Sequence, residues 1–117
     1  QGGESLVHNI VKAVIIDHNN HKWFGTEFGV SEYYNNIWTT YLSQNAQANF
    51  IFSLAEDKNH NIWFGSLAGV LRVNANNQTS FSSKNGLVYN QVEAIAQDQQ
   101  GNMWFGTQFG ASKYDGS

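Results

Sequence analysis

Short apolar runs alternate with polar turn clusters along the chain, and no stripe of helical period appears. Three runs align: Val11-Lys12-Ala13-Val14-Ile15, Ile51-Phe52-Ser53-Leu54-Ala55 and Val92-Glu93-Ala94-Ile95-Ala96. Each predicts a mostly buried strand, strand A. A turn opened by Asp17, Asp57 or Asp98 follows each, the carboxylate placed to accept backbone amides ahead of it. The fourth turn position holds Asn20, His60 or Gly101, residue types that tolerate positive φ. Strand B is the Trp-Phe-Gly-Thr/Ser segment opened by Trp23, Trp63 and Trp104, which are expected to be equivalent inter-blade core residues. Alternation puts Trp63 and Gly65 on one face and Phe64 and Ser66 on the other. A glycine there predicts close backbone approach, with aromatics of the next unit lying over it. Strand C is Val30–Tyr33, Val70–Val73 and Ala111–Tyr114, and strand D is Ile37–Tyr41 and Gln78–Phe81.

The tryptophans that open strand B are 40 and then 41 residues apart, so one unit recurs three times. Four short antiparallel strands in such a period make a propeller blade. The expected fold is therefore all-β, one domain over 1–117, with blades at about 6–42, 49–82 and 90–117. The third blade lacks its outer strand. Closed propellers use roughly four to eight blades, so three leave two aromatic blade faces uncovered. The expectation is a segment of a larger propeller, or one completed by association with itself, two copies giving six blades.

Composition narrows the function classes. Only six Lys and Arg stand against nine Asp and Glu, a net charge of −3, with no basic cluster for phosphates. No nucleic-acid partner is expected. The absence of cysteine excludes disulfides and thiolate chemistry. No apolar run is long enough to insert in a membrane, and no signal peptide is expected within these residues.

The repeat resembles the two-component regulator propeller repeat, with Asp98-Gln99-Gln100-Gly101-Asn102-Met103-Trp104-Phe105-Gly106-Thr107-Gln108-Phe109-Gly110 following its pattern nearly throughout. Asn20 and His60 depart from the usual glycine, and His21 stands where the other copies have Asn61 and Asn102. The resemblance implies an extracytoplasmic, periplasmic-type sensor region of a bacterial hybrid two-component system, with carbohydrate fragments as typical signals. Similarity to streptogramin-lyase propellers is weaker.

Candidate chemistry is sparse. Histidines His18, His21 and His60 lie at equivalent turns, where His21 and His60 are placed to approach one another, but turn histidines are the plainer reading and no metal is expected. The repeated aspartates argue for structure, because catalysis needs groups in differing environments. Glu27, Glu32 and Glu93 read as solvated charges. Neither an enzyme nor a cofactor is expected. A binding surface is expected where the D–A and B–C loops meet around the axis: Glu27, Phe28, Gln44, Asn45, Tyr89, Asn90, Gln108 and Phe109. Aromatic rings pack on the C–H faces of polyols while amides bond hydroxyls. The competing reading makes Phe28 and Phe109 inter-blade packing. A ligand-binding sensor segment is the first expectation. A structural, self-associating fragment is the second, and a propeller lyase the third.

Overall fold

The computed structural model describes residues 10–41, 50–74, 77–81 and 91–115. Among the described residues eleven strands form three antiparallel sheets. The first holds β1 (Val11–Ile16), β2 (Lys22–Thr26), β3 (Gly29–Tyr34) and β4 (Ile37–Tyr41), in that order. The second holds β5 (Ile51–Glu56), β6 (Ile62–Ser66), β7 (Gly69–Asn74) and β8 (Asn77–Phe81). The third holds β9 (Ala94–Gln97), β10 (Met103–Thr107) and β11 (Gly110–Tyr114). These are the blades and the strand order that the repeat predicts. Among the described residues no helix is long and apolar enough to cross a membrane.

Registers repeat with the sequence. Trp23 faces Ile15 and Glu32 across its ladder, Trp63 faces Ala55 and Arg72, and Trp104 faces Ala96 and Lys113. Positive φ falls on Asn20 (67°), His60 (68°) and Gly101 (91°), the shared turn position, as predicted. Asn35 and Asn36, at 54° and 66°, join β3 to β4, the left-handed pair that suits a tight hairpin.

The core is made between blades rather than within them. Trp23, Val30, Ile51, Leu54, Ile62 and Phe64 bury one another between blades one and two. Trp63, Val70, Val92, Met103 and Phe105 do so between blades two and three. Five of the six positions recur in the second set, and the counterpart of Leu54, Ile95, is partly buried against it; Trp23 leans on Phe64 (6.0 Å between centroids) as Trp63 leans on Phe105 (5.5 Å). Trp38, on the outer strand, packs instead against Phe24 and Tyr33 of its own blade.

Three expectations need correction. The next-blade residue lying over Gly25 and over Gly65 is aliphatic, not aromatic. A β-carbon on Gly25 would stand 3.3 Å from the Ile51 β-carbon, and one on Gly65 would stand 2.8 Å from the Val92 carbonyl oxygen. The third strand A begins at Ala94 rather than Val92, because the Val92 amide donates to Ser66 of the neighbouring blade (3.0 Å). Trp104 is not a core residue: it is 41% exposed where Trp63 is 1% exposed, since no described strand lies over it.

Candidate functional site

The B–C connections are two-residue hairpins, Glu27-Phe28, Leu67-Ala68 and Gln108-Phe109, at the same end of each sheet. The last residue of strand B builds each one. The Thr26 hydroxyl donates to the Gly29 carbonyl (2.8 Å) and accepts the Phe28 amide (3.0 Å), and Ser66 and Thr107 repeat both bonds. Gly29, Gly69 and Gly110 take the positive φ that closes the turn (111°, 108° and 128°). The loop tips are therefore rigidly placed while their side chains are left to vary.

Phe28 is 56% exposed and Phe109 67% exposed. They stand on hairpins two blades apart, with Leu67-Ala68 between them. Gln108 is exposed beside Phe109. Glu27 is half-buried and pairs with Lys12 at 3.6 Å. Gln44, Asn45, Tyr89 and Asn90 lie outside the described residues, so the D–A half of the expected surface lies outside them too.

The opposite rim carries the A–B turns. Each leading aspartate accepts amides two and four residues ahead and also the indole N–H of its own tryptophan, at 2.9, 2.8 and 2.9 Å. Six residues always separate the pair, a spacing visible in the sequence but not read there as a bond. Asp98 is held down at about 2, first by the Trp104 indole and then by the turn amides. Burial pushes Asp17 and Asp57 up, but the indole and turn bonds outweigh it and both lie below the ordinary value.

The histidines sort differently from the expectation. His21 does not meet His60. It faces the Glu32 carboxylate and stacks on Tyr34 at 3.9 Å. Glu32 is no solvated charge, since it also accepts the Tyr41 hydroxyl at 2.6 Å. Burial, then that bond to a carboxylate, pushes the Tyr41 hydroxyl well above its usual range. His18 is the residue that meets His60, their rings stacked at 3.6 Å, and both Nδ1 atoms face one oxygen of Glu56 at 2.6 and 3.2 Å. Among the described residues these three side chains form the group able to hold a metal ion.

The two-component regulator propeller pattern matches residues 45–68 and 86–109. No curated protein matches the chain. The extracellular domain of the hybrid two-component system BT3049 of B. thetaiotaomicron is 29% identical, with a TM-score of 0.79 over 97% of this chain and 16% of its own. That of BT4673, from the same organism, is 25% identical, with a TM-score of 0.78 over 97% and 17%. Virginiamycin B lyase of Staphylococcus aureus, at 13% identity and a TM-score of 0.67 over 95% and 43%, shares the fold alone. The chain spans about a sixth of the length of the sensor domains it matches.

Proposed function

We propose that this chain, which carries two-component regulator propeller repeats, is an extracytoplasmic segment of a sensor propeller that binds a neutral, carbohydrate-type ligand at its B–C hairpin tips. The observation that supports it is the exposure of Phe28 and Phe109 on hairpins whose backbone is held rigid. Large rings presented to water at fixed positions suit stacking on sugar C–H faces, and the Gln108 amide supplies hydroxyl-bonding groups beside them. Glu27, paired with Lys12, frames the first hairpin. Binding is preferred to catalysis because Asp17, Asp57 and Asp98 are each engaged by turn amides and an indole. Both B. thetaiotaomicron relatives are extracellular domains, which supports the extracytoplasmic placement.

Calorimetric titration of the 117-residue chain with neutral oligosaccharides tests this reading. Saturable binding is expected, weakened about tenfold or more by Phe28→Ala and by Phe109→Ala, with melting temperature unchanged. Binding that persists undiminished in the double variant, or no binding across the oligosaccharides, overturns it.

A second reading is favoured by a separate observation. Val11 (38%) and Val14 (54%) are exposed on blade one, although their counterparts Ile51 (1%) and Leu54 (8%) are buried. Trp104 is exposed on blade three, although Trp23 and Trp63 are buried. These are the two halves of a blade interface, which supports their being covered by further blades, of a longer chain or of a second copy of this one.

A further inference from the structure

We propose that His18, Glu56 and His60 form a binding site for a borderline divalent transition cation, zinc above all, that clips blade one to blade two at the A–B rim. The inference is independent of the saccharide reading, which concerns the opposite end of the sheets.

Three segments deliver the ligands. His18 stands in the turn between β1 and β2, Glu56 ends β5, and His60 closes the turn between β5 and β6. Their ligand atoms all lie within 4.8 Å of one another. Zinc bonds of about 2.0–2.2 Å at tetrahedral angles put ligand atoms about 3.4 Å apart, and the Glu56 oxygen already lies 2.6 and 3.2 Å from the two Nδ1 atoms. Two imidazoles and one carboxylate are a donor set suited to zinc, nickel or copper rather than to magnesium or calcium. His18 and His60 are exposed, so small rotations of their rings can aim both lone pairs at one ion. Solvent can fill the remaining position.

The second blade junction supplies an internal control. There the counterparts are Lys58, Gln97 and Gly101. The Lys58 amide donates to Gln97 at 2.8 Å, just as the His18 amide faces Glu56 at 3.3 Å, and Lys58 Nζ reaches the Gln99 carbonyl at 2.8 Å. The repeat thus joins its blades at this rim without any histidine or carboxylate. The ligating set at the first junction is not required by the fold. The other described histidine, His21, is engaged by Glu32 and Tyr34.

The test is zinc chloride titrated into the untagged 117-residue chain, read by melting temperature and by histidine ring NMR signals. A ligand bound only by the folded state raises the melting temperature. Zinc is expected to raise it and to perturb His18 and His60 together. Magnesium is expected to do nothing. Glu56→Gln, His18→Lys and His60→Gly install the residues of the second junction, so their folding is already exemplified in this chain. Each is expected to weaken zinc binding at least about tenfold, since even outer-shell partners are worth about 10–100-fold. His21→Gln is expected to leave it unchanged. No zinc shift in the parent chain, an undiminished shift in the triple variant, or its loss in His21→Gln overturns the proposal.

Discussion

The aspartate at the start of each A–B turn joins three layers of the molecule at once. It caps its turn and fixes the indole of a strand-B tryptophan, and in blades one and two it so orients the ring that the next blade packs upon. Because Asp98 is held at about 2, against an unfolded value of about 3.9, its contribution to stability is complete above the unfolded value. It fades as pH falls from about 4 toward 2. The destabilisation caused by Asp98→Asn is therefore expected to be full at about pH 5 and to shrink toward pH 2, as denaturant melts followed by tryptophan fluorescence will show. A substitution cost that stays constant across that range excludes this account. Equivalent tryptophans are expected to differ by burial. Trp63→Ala should cost roughly 3–5 kcal/mol and Trp104→Ala clearly less, since Trp104 is 41% exposed. At the turn itself, Gly101→Val places a β-branched residue at positive φ and should cost about 1 kcal/mol or more, while His60→Gly is expected to be neutral or slightly stabilising. The left-handed position was legible in the sequence because Asn, His and Gly share one backbone tolerance. The Asp–Trp bond was not, because a spacing of six residues becomes a contact only once the hairpin register is known.

At the scale of the strand, the glycine of strand B marks where the next blade's first apolar residue presses down. Gly25 meets Ile51, and Gly65 meets Val92. Gly106 meets only Ala94 of its own sheet, at an ordinary 3.5 Å. Gly65→Ala is thus expected to destabilise by about 1–3 kcal/mol through overpacking against backbone. Gly106→Ala should leave stability unchanged or slightly raised, alanine being the better strand residue by a few tenths to about 1 kcal/mol. Equal effects of the two, in matched thermal melts, are incompatible with blade-on-blade approach at this position. Strand identity and order were readable from alternation and turns, element by element. Two features were not. The start of the third strand A shifts because the Val92 amide bonds to another blade, a long-range choice no local pattern records. The pairing of His18 with His60, rather than His21 with His60, depends on the way each A–B turn leans over the end of the following strand A. That inter-blade offset is a tertiary quantity. The hairpin-tip residues were legible as variable positions between fixed ones, and the exposure of Phe28 and Phe109 follows from that place.

At the scale of the whole molecule, the two uncovered faces pose a single physical question. Blade one presents Val11, Val14 and Ile16, the last 60% exposed, and blade three presents Trp104. Covering Val11 and Val14 with Trp104 would reproduce the contacts that bury Ile51 and Leu54 against Trp23. The join is head-to-tail, and such joins close into rings when the rotation between units permits. Two copies give six blades, inside the usual range of roughly four to eight. The apolar area withdrawn from water, at about 25 cal/mol per Å², has to exceed the entropy cost of association, so the effect must depend on concentration. The 117-residue chain is expected to show an average mass above the monomer in light scattering, rising with concentration, and Trp104→Glu is expected to return it to monomer with Trp63 fluorescence unchanged. Val14→Glu, on the opposite face, should do the same. Mixing the two charged variants leaves one intact front and one intact back, which permits a single join and a dimer that cannot close. A monomeric parent chain at high concentration, or a mixture that forms nothing, would refute association through these faces.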